Sequence, residues 1–279
     1  MNQINPLQQY FRQPAIYIRL PSQGKFYPAG AIDYPDNGEL PVFPMTAVDE
    51  ITYRTPDALF NGQATVNVIE SCVPNIKNGW AIPSMDIDTL LVAIRMASYG
   101  NSMDFGTSCP KCQEPSDRAL DLNTALASMR TPDYSTGITA GDMQIFLRPM
   151  TYQNLNDNNR LQYDNQKMLQ NLPNADIAEE EKMSALTSAL KKITDITIKA
   201  IALSISAIKT PQALVTESEF IEEWLHNCDK AVFTKVRERV VELKSMAEMQ
   251  PMKMSCPSCS HEYDQMITLD MTSFFGADS

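Results

Sequence analysis

The chain has 279 residues, 43% of them hydrophobic and 20% charged, proportions of an ordinary globular protein that exclude a wholly disordered one. Its 10 glycines and 18 dispersed prolines exclude collagen-like and coiled-coil readings. With 23 Lys and Arg against 34 Asp and Glu, the net charge of −11 repels phosphate backbones and anionic lipid unless basic residues are segregated, so no nucleic-acid partner is expected.

The length suits one large domain or two modest ones. The opening residues are polar and carry no basic segment followed by an apolar one, so no secretory signal is expected and the chain reads as cytosolic when made. Ala15–Leu20 alternates and predicts a strand; Pro21-Ser-Gln-Gly24 supplies turn chemistry, and Val42–Met45 predicts a second strand. Thr46 with Asp49 reads as a capped helix start, and Thr55-Pro56-Asp57 as another. Helices are predicted over Thr65–Cys72 and Ser84–Ser98, the latter with Ile87, Leu90, Leu91 and Ile94 on one face and Gly100 as its stop.

From Met103 the pattern turns to strands. Met103–Cys109, Arg118–Leu122 and Met143–Leu147 read as short strands around a metal knuckle. A polar helix begins near Asn156. Asp176 with Glu179 opens a long helix ending near Lys209, whose apolar positions include Met183, Leu186, Leu190, Ile193 and Ile208. Its most apolar stretch, Ile193–Ile208, contains Asp195, Thr197 and Lys199 and is too short for a membrane span, so it reads as a core helix. Further helices are predicted over Glu217–Asn227, with Thr216 and Glu219 as a capping pair, and over Lys230–Met249. A last strand is predicted over Met266–Leu269. The fold class is therefore α+β: a helical N-terminal region, a small zinc-ribbon β unit made from two distant hairpins, and a large helical insertion between them. The expected divisions are 1–100, 101–150 plus 251–279, and 151–250.

Cysteine spacing carries the most specific signal. Four of the six cysteines form two CPxC pairs, Cys109-Pro-Lys-Cys112 and Cys256-Pro-Ser-Cys259, which in a reducing compartment point to metal thiolates. Each pair follows a strand-like run, so one supersecondary unit is used twice. Zinc takes four tetrahedral ligands and each turn supplies two, which predicts a single structural zinc per chain on Cys109, Cys112, Cys256 and Cys259. The pairs stand 143 residues apart, but closing such a loop costs on the order of 4–5 kcal/mol, against roughly 10–16 kcal/mol for structural zinc in small peptides. Four thiolates leave no open position for catalytic water. The alternatives are two metal-free thiol pairs and a redox CxxC, though neither pair opens an evident amphipathic helix after a strand.

The remaining chemistry is sparse. His261 reads as a turn residue, His226 as a helix-end residue, Cys72 and Cys228 as small packed side chains, and Glu179–Glu181 as a solvated first helical turn. Met246, Met249, Met252 and Met254 cluster before the second knuckle as a candidate contact surface. No GxGxxG, Walker, GxSxG or HExxH pattern occurs, and no enzyme is expected.

Several segments together resemble the baseplate hub subunit family of T-even-type contractile-tailed bacteriophages. They are Leu20–Pro28, Val42–Ile51, Thr55–Leu59, Leu91–Gly100 leading into the first CPxC, Glu219–Leu225, the second CPxC, and Phe274-Phe-Gly276. The resemblance implies a non-enzymatic virion protein of the tail baseplate, made in the host cytoplasm and working through contacts with hub, tail-tube or tape-measure proteins. Gln113 and Ser260 depart from the glycine that zinc ribbons often place after the second cysteine. Two other readings stay open. One is a zinc-ribbon nucleic-acid or transcription adaptor, for which only Lys111, Arg118 and Lys253 lie near the knuckles, against Glu114, Asp117, Glu262 and Asp264. The other is an assembly chaperone absent from the finished particle.

Overall fold

The computed structural model describes residues 5–53, 62–172 and 178–266. The chain divides into two compact units, Met1–Thr131 with Met246–Ser279, and Pro132–Ser245. The architecture is α+β.

In the first unit, strands β1 (Ile16–Ile18) and β2 (Leu40–Val42) form a two-stranded antiparallel ladder. Helix α1 (Ala47–Tyr53) starts as its sequence predicts: Thr46 Oγ1 donates to Asp49 Oδ2 at 2.8 Å and accepts from Asp49 N at 3.2 Å. Helix α2 (Gln63–Cys72) follows, and α3 (Ser84–Tyr99) is the centre of the unit, buried on nearly every face from Met85 to Met96. Gly100, at φ 94°, ends it by donating its N–H to Met96 O. The predicted start at Thr55-Pro56-Asp57 lies outside the described residues.

Long-range polar clamps hold this helical region, among them those of Arg12 and Asp86. Arg12 reaches Asp49 Oδ2 at 3.2 Å and both the carbonyl and hydroxyl of Ser71, at 2.7 and 2.8 Å. The carboxylate of Asp86, fully buried in α3, accepts from Ser22 N at 2.8 Å, from Ser22 Oγ, and from Tyr27 OH at 2.9 Å. Those bonds pin the turn after β1, where Gln23, Gly24 and Phe26 all take positive φ.

Strands β3 (Ser102–Ser108) and β4 (Pro115–Asp121) pair antiparallel along their whole length, and α4 (Leu122–Ser128) follows with Asp121 as its cap. Strands β9 (Met252–Ser255) and β10 (Glu262–Gln265) form a second hairpin. Each remains a separate two-stranded ladder. Of the last strand predicted over Met266–Leu269, all but Met266 lies outside the described residues; β10 ends one residue before it.

The second unit is built on a four-stranded antiparallel sheet, ordered β5 (Ile138–Ala140), β6 (Met143–Leu147), β7 (Ile205–Lys209), β8 (Leu214–Val215). Met143–Leu147, predicted as a strand beside the metal knuckle, therefore belongs to a different sheet, paired with β5 and β7. Helices α5 (Tyr152–Asn171) and α6 (Glu179–Leu203) form an antiparallel pair between β6 and β7; α7 (Ser218–Asn227) and α8 (Lys230–Ala247) follow β8. Ile145, Leu147, Ile201, Ile205, Ile221, Leu225 and Val236 form the core.

Three predictions in this unit are corrected. The long helix stops at Leu203 rather than near Lys209, because Ile205–Lys209 is drawn out to pair with β6. Its cap position is Ala178, which offers no side-chain cap, and Asp176 lies outside the described residues. Glu217, not Thr216, precedes α7, and the Thr216 N–H donates to Glu217 Oε2 at 3.0 Å.

Burial raises the Asp86 pKa from 3.8 to about 6, against the lowering effect of the Ser22 and Tyr27 hydrogen bonds. Between those values the folded state holds more protons than the unfolded one, so stability rises as pH falls through 6. Urea denaturation at pH 7 and pH 4.5 is expected to show the wild type gaining on the order of 2 kcal/mol relative to Asp86→Asn at the lower pH.

Candidate metal centre

Each knuckle is a six-residue loop closing a hairpin, from Ser108↔Pro115 to Cys109–Glu114 in one and from Ser255↔Glu262 to Cys256–His261 in the other. The two loops carry the same backbone bonds. Cys109 N donates to Glu114 O at 3.1 Å and Gln113 N to Cys109 O at 2.8 Å; Cys256 N donates to His261 O at 2.9 Å and Ser260 N to Cys256 O at 2.9 Å. Gln113 and Ser260, the residues after each second cysteine, both sit in the left-handed region, at φ 60° and 57°. The glycine departure noted in the sequence is thus real strain, adopted at the same place twice.

The structure brings the two hairpins together. Cys109, Cys112, Cys256 and Cys259 place all four Sγ atoms within 4.8 Å of one another. Cys109 and Cys259 approach to 3.8 Å, and Cys112 and Cys256 to 3.5 Å. Four sulfurs about 2.3 Å from a central ion in a tetrahedron stand about 3.8 Å apart, so the spacing fits a tetrathiolate. Cys109 and Cys256 are buried, Cys259 is half-buried and Cys112 is exposed.

Fixed dipoles and mutual repulsion set the electrostatics. The N–H of Cys259, working against burial and helped by that of Ser258, pulls the Cys256 thiol down to about 6. The N–H of Cys112, with that of Lys111, likewise lowers Cys109. At Cys112 the N–H of Glu114 also lowers the pKa, but burial and the three other sulfurs outweigh it and push the thiol up to about 12. The backbone N–H groups of the two loops thus favour the thiolate form at Cys109 and Cys256, the form that binds a metal.

Among the described residues, hydrogen bonds also join the hairpins: Thr107 Oγ1 donates to Gln265 Oε1 at 2.6 Å, and Arg118 Nη2 to Ser255 O at 2.7 Å. Motif spacing carries no signal for these partners, which lie more than a hundred residues apart along the chain. His261 stays out of the cluster; its ring stacks on Tyr263, with centroids 6.4 Å apart. Cys72 is buried beside Arg12 and Cys228 packs at the core of the second unit, as small apolar side chains.

A family model described as T4 bacteriophage base plate protein matches residues 45–276, a span that takes in both knuckles. No curated protein and no solved structure matches the chain. The chain belongs to the T4 bacteriophage base plate protein family, as the sequence resemblance implied. It is a structural, non-catalytic component of the phage baseplate hub that works through protein–protein contacts, and it carries a four-cysteine cluster capable of coordinating a metal. Among the described residues no helix is long and apolar enough to cross a membrane.

Replacing Gln113 or Ser260 by Gly removes the left-handed strain at the loop end. Each substitution is expected to stabilise the protein by about 0.5–1 kcal/mol, read as a rise in thermal midpoint.

Proposed function

We propose that Cys109, Cys112, Cys256 and Cys259 hold one structural zinc per chain, and that this clasp rigidifies a surface docking onto other proteins of the baseplate hub, with tail-tube or tape-measure proteins as its neighbours. The observation that carries the reading is the convergence of four sulfurs from two matching hairpins. Soft thiolate donors in tetrahedral array favour zinc among the abundant divalent ions, and a closed shell of four has a structural role. On this reading the chain is made in the host cytoplasm, takes up its metal as it folds, and is retained in the tail baseplate of the virion.

The test is a metal assay on the full chain together with its variants. Purified protein is expected to contain close to one zinc per chain, and chelation is expected to lower stability by roughly 5–12 kcal/mol, the metal's contribution less the loop-closure cost. Cys109→Ser with Cys256→Ser is expected to abolish zinc uptake. Free thiols at all four knuckle cysteines and no metal in freshly prepared protein would refute the clasp. Mass spectrometry of purified tails tests the location separately, and the chain's absence from them would refute its retention.

A further inference from the structure

Helix α6 presents an apolar stripe that stays substantially exposed among the described residues. Met183, Leu186, Leu190 and Ile193 recur at intervals of three and four residues and are 65%, 37%, 54% and 42% exposed. The residues this helix buries are Ala189 and, further along, Ile198, Ile201 and Ala202. Single exposed apolar side chains are normal on a protein surface, but four in one continuous helical seam are not. The threonines beside the seam add no polar demand, because Thr187, Thr194 and Thr197 each donate to the carbonyl four residues back.

The neighbouring helix occupies a different side. Asn165 of α5 donates to Ala189 O at 3.2 Å, so α5 lies against the Ala189 face. At 100° per residue, the stripe is centred roughly 80° around α6 from Ala189. That is the disposition of the two neighbours each helix has in a four-helix bundle, of which this hairpin supplies only one half.

The charges beside the stripe select the occupant. Glu180 and Lys191 line one shallow groove with Met183, Ser184, Thr187 and Ser188. A second copy of α6, laid antiparallel about a two-fold axis beside Leu186, brings Glu180 of each copy within reach of Lys191 of the other and stacks Met183 on Leu190. A parallel two-fold pairing would carry the Glu180–Lys191 flanks of the two copies to opposite edges of the interface, where they could not meet. We infer that the α5–α6 hairpin is a homodimerisation element, two copies of the chain closing an antiparallel four-helix bundle across the Met183–Ile193 stripe.

Sedimentation equilibrium of the full, metal-loaded chain tests this. The wild type is expected to be a dimer that dissociates on dilution. Leu190→Lys, at an exposed position, is expected to weaken dimerisation by at least ~100-fold with helical content unchanged. Glu180→Lys and Lys191→Glu are each expected to weaken it roughly tenfold, and the double reversal to restore it, since both cross-pairs are rebuilt. A wild type that stays monomeric throughout its soluble range overturns the inference, even if another tail protein binds the stripe. So does a dimer indifferent to Leu190→Lys, or a double reversal no better than the singles.

Discussion

Four sulfurs within 4.8 Å of one another are the constraint on which the first unit depends. Packed this closely, thiolates repel, and the chain offsets only part of that repulsion with backbone dipoles aimed at Cys109 and Cys256. The Cys112 thiol, by contrast, is pushed up by burial and by the three other sulfurs. On the proposed reading, a bound zinc ion relieves that repulsion and converts a local electrostatic problem into a fixed join between residues that the sequence keeps far apart. The hairpins share no sheet, so the sulfur cluster, with the Thr107–Gln265 and Arg118–Ser255 bonds, is what holds their mutual geometry.

Features whose signal is local are legible in the sequence alone. The CPxC pairs are, because each turn needs its two ligands at fixed spacing, and so are the Thr46–Asp49 cap and the Gly100 stop, which act within one helical turn. Even the strain at Gln113 and Ser260 follows from the residue type standing where glycine is usual. The Asp86 clamp is not legible in this way, because its partners lie 59 and 64 residues away and an aspartate in a first helical turn has an ordinary explanation there.

The long helix shows a different limit. Residues 193–208 are rich in isoleucine, and the pattern fits both a helical face and a buried strand. No glycine or proline marks the change at Ser204, and the decision is made by β6, which offers an open edge to Ile205–Lys209. The same helix shows that amphipathic spacing identifies an apolar face without saying what covers it. Ile198 and Ile201 meet the core of their own unit, while Met183 and Leu190, in the same rhythm, meet solvent.

The wide separation of the two knuckles also has a temporal meaning. A ribosome working along the message completes the first hairpin early, and two thiols wait through well over a hundred further residues before Cys256 and Cys259 emerge. Products released prematurely possess half a ligand set and can never shut it. On the proposed zinc reading, coordination is complete only once the second hairpin has been made.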